Sequence, residues 1–363
     1  MAALIADGQL GRAMLDLIDL ARIEAIAAPV RVLVAECCRI SGERARKSAS
    51  GGRSQSVAQL NPRRLAALAR PRSLPVERFR ACVNLVECGE IGRALFHAAD
   101  LLDVPELKPR VEALIDQCRA MRKLRLHERA GEGWPEGSEV GDSHVAIPAG
   151  SETTVICFTG RGSRFGISSY FLRSLLQMHR VNLVLVFDWD EVGYLAGVRG
   201  LGDTMEESVA RLSAMCARLG TRRLVVLGTS LGGFAAMRYA LALGADATLA
   251  LAPRLHVFDN PANLASLRAA VGDEVTAESI DVRAHHHAAE RAPLTWIVYG
   301  TANEADVRSA AHMRGLDGVV EIPLEGIGDH RLITRLAVSG EFTPLFARFL
   351  EAAGAGAWRP LEA

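Results

Sequence analysis

The sequence predicts an α/β fold, a doubly wound and mostly parallel sheet preceded by an all-α helical domain. Two observations carry it. Short Val/Ile/Leu-rich runs at 154–159, 182–187, 223–228, 247–252, 295–300 and 319–324 are apolar at successive positions, as strands buried on both faces are. The segments between them are long enough for crossover helices, and 171–178, 205–219, 234–243 and 342–352 have helical periodicity; a β-α-β-α order winds naturally into a parallel sheet. Before about residue 135 the pattern differs: apolar residues recur at helical spacing and no run reads as a strand. The change falls in GEGWPEGSEVGD, 131–142, a glycine-rich polar stretch of linker type. The expected division is a helical domain at 1–138 and an α/β domain at 139–363.

Within the first domain, 5–21 aligns with 86–102, with Gly8/Gly89, Gly11/Gly92, Arg12/Arg93 and Ala13/Ala94 coinciding. Small residues at fixed places let neighbouring helices approach closely. The segment reads either as a degenerate tetratricopeptide-like solenoid or as a plain bundle. Between the copies, 41–75 is rich in Arg, Ser and Gly and reads as a solvated basic loop.

Composition removes several function classes. Hydrophobic residues at 49% and charged residues at 23% exclude a wholly disordered chain. Lys plus Arg and Asp plus Glu both number 42, so no global basic field exists to hold nucleic acid. No apolar run reaches the roughly 18 residues of a membrane span. The start, MAALIADG, has no basic region before its first acid, so a secretory signal is not expected. The seven cysteines are odd in number, scattered and without a C-x-x-C pair. They read as small core residues in a reducing cytoplasm.

The chemistry lies in LVVLGTSLGGFAAM, 224–237. An apolar strand meets Gly228-Thr229-Ser230-Leu231-Gly232 and continues into a helix, which is G-x-S-x-G in the context it requires. The turn holds the serine in a strained conformation with its hydroxyl projecting at the sheet edge. Gly228 and Gly232 leave room where a Cβ would strike the adjoining elements. The helix N-terminus directs amides at a developing oxyanion. This segment resembles the nucleophile elbow of the α/β-hydrolase superfamily, and the likeness extends over about 150–350.

That resemblance implies a triad in the order Ser, acid, His. A serine hydroxyl needs a base and an orienting group at neutral pH. His330, in GIGDHRLI after the last strand, stands where the superfamily keeps its base. The acid belongs in the loop after the preceding strand, where Glu304 and Asp306 both lie. Asp306, just ahead of a helix, is the expected residue, with a plain helix N-cap as its competing role. The oxyanion donors implied are the amides of Leu231 and of Arg161, the latter in FTGRGSRFG after the first strand. There Thr159 replaces the superfamily's histidine. The Arg161 and Arg164 side chains are either solvated or placed to meet a substrate anion.

Phe187-Asp-Trp-Asp-Glu-Val-Gly-Tyr194 and Leu251-Ala-Pro-Arg-Leu255 resemble a bacterial branch of the superfamily, in which hydrolase domains are joined to helical repeats and linked with cell-surface glycan assembly. Asp188 and Asp190 either line the cleft or cap the next turn. His285–His287 read as solvated, without a partner for metal binding. The stretch between Pro253 and Pro293 allows one or two helices as a lid.

The expected function is hydrolysis of a small-molecule or glycan-linked carboxylic ester, or of a thioester or amide, through an acyl-enzyme. This chemistry requires no metal or organic cofactor. The alternative is a catalytically silent hydrolase-fold scaffold. In either case the helical domain is the expected site of protein partnership or self-association. No phosphate-binding loop, dinucleotide fingerprint or H-E-x-x-H occurs.

Overall fold

The computed structural model describes residues 74–87, 91–123, 134–161, 164–273, 275–354 and 358. The first repeat copy, nearly all of the basic loop, and Cys37, Cys38 and Cys88 lie outside these residues. The chain divides into two compact units, Met1–Trp134 with Ser168–Ser174, and Pro135–Ile167 with Leu175–Ala363.

In the first unit, α1 (Pro75–Glu87), α2 (Ile91–Ala99) and α3 (Lys108–Lys123) follow one another. Pro75 opens α1, where a missing N–H does no harm. Each helix buries a stripe at helical spacing: Phe79, Cys82 and Val86; Ile91, Ala94, Leu95 and Ala98; Val111, Leu114, Ile115 and Cys118. Arg110 lies over the Phe79 ring at 4.7 Å.

The second unit is built on eight strands: β1 (Glu139–Val140), β2 (His144–Ile147), β3 (Thr153–Phe158), β4 (Asn182–Val186), β5 (Arg223–Thr229), β6 (Ala247–Leu251), β7 (Leu294–Gly300) and β8 (Val319–Leu324). They form one sheet in the order β1-β2-β4-β3-β5-β6-β7-β8. The β1/β2 and β2/β4 pairs are antiparallel and all the others parallel. The six expected strands are β3 to β8. The sequence reading missed β1 and β2, which have two and four residues and no long apolar run to mark them.

The helices in chain order are α4 (Ser169–Gln177), α5 (Met205–Arg218), α6 (Leu231–Leu243), α7 (Pro261–Val271), α8 (Val282–Ala288), α9 (Glu304–Met313), α10 (Leu332–Ser339) and α11 (Phe342–Ala352). In β3, Val155 and Cys157 point to one face and Ile156 and Phe158 to the other, and all four are fully buried. This explains the unbroken apolar run. β8 departs from that expectation: as an edge strand it is buried at none of its positions. α6 is apolar around most of its circumference because it serves two clusters. Ala235, Ala236, Tyr239, Ala240 and Leu243 pack with α5 and the first half of the sheet. Leu231, Phe234 and Met237 pack with β6, β7 and α9.

The stretch after Pro253 holds a 3₁₀ turn (Val257–Asp259), α7 and α8. Asn260 caps α7, accepting from the amides of Ala262 and Asn263, with Pro261 at the first helical position. His285–His287 form the last turn of α8. The expectation of three solvated side chains fails for His286, which is buried, and burial lowers its pKa. Among the described residues no helix is long and apolar enough to cross a membrane. Cys82, Cys118, Cys157 and Cys216 are free and buried, and burial pushes the Cys82, Cys118 and Cys216 thiols up to about 12.

Candidate active site

β5 runs buried to Thr229 and the chain then turns within one residue. Ser230 has φ 56° and ψ −121°, a conformation unfavourable for a side chain, and α6 starts at Leu231. Two glycines make this turn sterically feasible. A Cβ on Gly228 would collide with the Gly232 carbonyl, and one on Gly232 with the carbonyls of Phe158 and Thr159. The strained residue is tied down on both sides. Its N–H donates to Leu251 O at 3.0 Å, and its carbonyl accepts from the amides of Gly233 at 2.9 Å and Arg254 at 3.0 Å.

His330 and Asp306 are brought together by two loops that dock on each other. The loop after β8 lies against the end of β7, where a Cβ on Gly300 would strike the Ile327 backbone. The Ala302 amide donates to Ile327 O at 3.0 Å, and Asn303 Nδ2 donates to Gly328 O at 3.2 Å. Asn303 is also the N-cap of α9, with its side chain accepting from the Asp306 amide. Asp306 is therefore neither in the loop, as the sequence suggested, nor a cap. It is the third residue of the helix, and its side chain turns inward and is fully buried. Glu304, two residues earlier, is exposed.

The three groups meet in a line. Asp306 Oδ1 is 2.7 Å from His330 Nδ1, and His330 Nε2 is 2.8 Å from Ser230 Oγ. A carboxylate at Nδ1 assigns the ring proton there and leaves the lone pair of Nε2 to accept from the serine hydroxyl. A second donor reaches the same nitrogen: Arg254 Nε, at 3.2 Å.

The sequence-predicted oxyanion donors flank this line. Leu231 opens α6 directly after Ser230. Arg161 follows Gly160, where an added Cβ would lie 2.9 Å from Thr229 O and 3.4 Å from Ser230 Cβ. The β3 loop thus rests on the turn itself. Among the described residues neither the Leu231 nor the Arg161 amide donates to a backbone carbonyl. Arg164 contributes its carbonyl, which accepts from Gly160 N at 2.8 Å.

Four further residues support the site without having been assigned this work from sequence. Thr159 Oγ1 accepts from the Asp188 amide at 3.2 Å and lies 2.7 Å from the Tyr194 hydroxyl. That hydroxyl also donates to Val186 O at 2.9 Å. Thr159, at the start of the loop that carries Arg161, thus ties that loop to 188–194. Asp188 is buried and does not line the cleft. Its carboxylate accepts from the amides of Asp190, Glu191, Gly193 and Tyr194. Burial raises its pKa even against these bonds. Asp190 points outward and pairs with Arg199 at 3.0 Å. Arg254 carried no signal beyond its place in Leu251-Ala-Pro-Arg-Leu255. Only the packing of the β6 loop on the elbow brings it to His330.

A cavity of about 490 Å³ opens over Ser230 and His330, with Arg161, Leu231, Arg254 and Arg308 in its wall. The antiparallel second strand, the crossed order β4-β3-β5, and Ser230, Asp306 and His330 following β5, β7 and β8 decide the architecture. The fold is that of the α/β hydrolases. No protein-family model and no curated protein matches the chain. Among solved structures it is similar to a CIB-like hydrolase from Thermoplasma acidophilum, at 15% identity and a TM-score of 0.39, over 59% of this chain and 96% of that one. It is also similar to an α/β hydrolase enzyme from the metagenome of sediments of the Mar Chica lagoon, Morocco, at 13% identity and a TM-score of 0.44, over 60% and 99% of the two chains. For the esterase Est2 of Thermogutta terrifontis the values are 18%, 0.43, 61% and 94%. Among the described residues no group of His, Cys, Asp and Glu is arranged to hold a metal ion.

Proposed function

We propose that this protein is a serine hydrolase of carboxylic esters, with thioesters and amides open to the same chemistry. The observation that carries the reading is the continuous hydrogen-bonded line from buried Asp306 through His330 to Ser230, at 2.7 and 2.8 Å. His330 Nε2 takes the hydroxyl proton as Ser230 Oγ bonds to the carbonyl carbon, and the carbonyl electron pair moves onto oxygen. The Leu231 and Arg161 amides receive that oxyanion. His330 returns the proton to the leaving alcohol as the carbon–oxygen bond breaks. Water then repeats the sequence on the acyl-enzyme and frees the acid. Asp306 holds the imidazole in the tautomer that accepts at Nε2 and faces the imidazolium with a buried negative charge.

The test is fluorophosphonate labelling of the full chain beside Ser230→Ala, read by intact mass. One adduct on the wild type and none on the variant is the expected result. A folded wild type that takes no adduct would refute the reading and leave a hydrolase-fold scaffold.

A further inference from the structure

Three arginines, Arg161, Arg254 and Arg308, line the cavity over Ser230, and no Asp or Glu is among its described lining residues. Two of the arginines have acidic neighbours. Arg308 bonds Asp259 at 2.6 Å. Arg161 reaches Glu191 at 3.8 Å and Asn263 Oδ1 at 3.4 Å. Arg254 differs. Among the described residues its guanidinium has no carboxylate partner, and its Nε–H is directed at His330 Nε2.

This arrangement conflicts with the proton transfer. Nε2 of a neutral imidazole offers one in-plane lone pair, and both the Ser230 hydroxyl and Arg254 Nε–H approach it, at 2.8 and 3.2 Å. Once the serine proton arrives, Nε2 becomes a donor facing a donor, and an imidazolium faces a guanidinium. Like charges this close in a partly enclosed site raise the barrier. A negative group on the substrate would draw the guanidinium off the histidine and cancel its charge. The backbone would not need to move, because the Arg254 amide is anchored to Ser230 O at 3.0 Å and Pro253 packs on Gly233. Only the side chain swings.

We infer that the site takes esters bearing an anionic group, a carboxylate or a phosphate, which Arg254 binds as it releases His330. This rests on the hydrolase reading above for its chemistry, but the binding step can be measured without it. Ser230→Ala is titrated calorimetrically with monobutyl succinate, with butyl 3-phosphonopropanoate and with the uncharged isostere butyl 4-methylpentanoate. An anion held by a charge-assisted guanidinium contact binds on the order of 10- to 100-fold more tightly than the isostere, and the advantage shrinks as salt is raised. The two anionic probes distinguish carboxylate from phosphate preference. Adding Arg254→Gln to Ser230→Ala brings the ratio close to one, while Arg254→Lys retains part of it. With Ser230 intact, the ratio of kcat/KM between the succinate monoester and the isostere follows the same order across the Arg254 variants. Equal binding of charged and uncharged probes overturns the inference, as does a ratio that survives Arg254→Gln in a protein of wild-type melting temperature. Anion-selective, Arg254-dependent binding by a protein that fluorophosphonate does not label would instead bring down the hydrolase reading and leave this one standing.

Discussion

Asp306→Asn changes charge and donor pattern at the site with almost no change in volume. The carboxylate is fully buried, with Oδ1 2.7 Å from His330 Nδ1 and Oδ2 without a hydrogen-bond partner among the described residues. An asparagine can sit in two ways. With its NH₂ toward the ring, Nδ1 must accept, and the proton moves to Nε2. There it meets the Ser230 hydroxyl and Arg254 Nε–H, both donors, at 2.8 and 3.2 Å. With its carbonyl toward the ring the tautomer survives, but the NH₂ occupies the Oδ2 position as a buried donor without an acceptor, at about 1–3 kcal/mol. The imidazolium then also loses its counter-charge. On the proposed mechanism, either placement is expected to raise the barrier to attack by Ser230 by roughly 4–5.5 kcal/mol, a fall of about 10³- to 10⁴-fold in rate. The assay is the second-order rate of fluorophosphonate labelling at Ser230, with thermal unfolding run beside it. A labelling rate within about tenfold of wild type, equivalent to ~1.4 kcal/mol, in a folded Asp306→Asn protein would refute the reasoning. Glu304→Gln, at the exposed neighbour, is expected to stay within about twofold.

Two other outcomes are expected. Thr159→Val keeps the side-chain shape but removes the acceptor of the buried Asp188 amide; we expect a loss of about 1–3 kcal/mol in denaturant unfolding together with slower labelling, since the same loop carries Arg161. Unchanged stability and labelling would remove Thr159 from its supporting role. The pH dependence of stability follows from three histidines, His144, His179 and His286, whose pKa values burial lowers from an ordinary 6.5. The unfolded chain protonates first as pH falls, so their contribution is fully present above about pH 6.5 and is lost progressively below it. Urea unfolding at pH 7.5 and 5.5 should show the decline, and His286→Leu should flatten it; an identical slope in the variant would exclude His286 as a contributor.

Parts of this protein were legible in the sequence because they are local. Five of the six long strands, β3 to β7, are apolar on both faces and declare themselves as runs, and β3 to β8 fall within a residue or so of their expected limits. The elbow was legible because its geometry is made by adjacent residues: Gly228 and Gly232 admit the backbone crossing that forces Ser230 to positive φ. β1 and β2 were not legible, because two and four residues carry no usable periodicity and their places, β1 on β2 and β2 on β4, are set by register across the sheet. The inward turn of His286 was hidden for the same reason, since a run of three histidines on a one-turn scale does not say which side faces the core.

By itself the sequence determined the order of the six long strands along the chain, the strained serine turn and the candidacy of His330, each through residues near one another in the chain. The tertiary structure decided the rest. Asp306 rather than Glu304 meets His330, because the Asn303 cap sets the phase of α9 and directs only Asp306 inward. Thr159 fixes the loop beside the elbow only through hydroxyl and amide groups that arrive from 188–194. Arg254 reaches His330 across 76 positions of chain, and hydrogen-bond strength depends on distances of a few tenths of an ångström that no spacing in a sequence encodes.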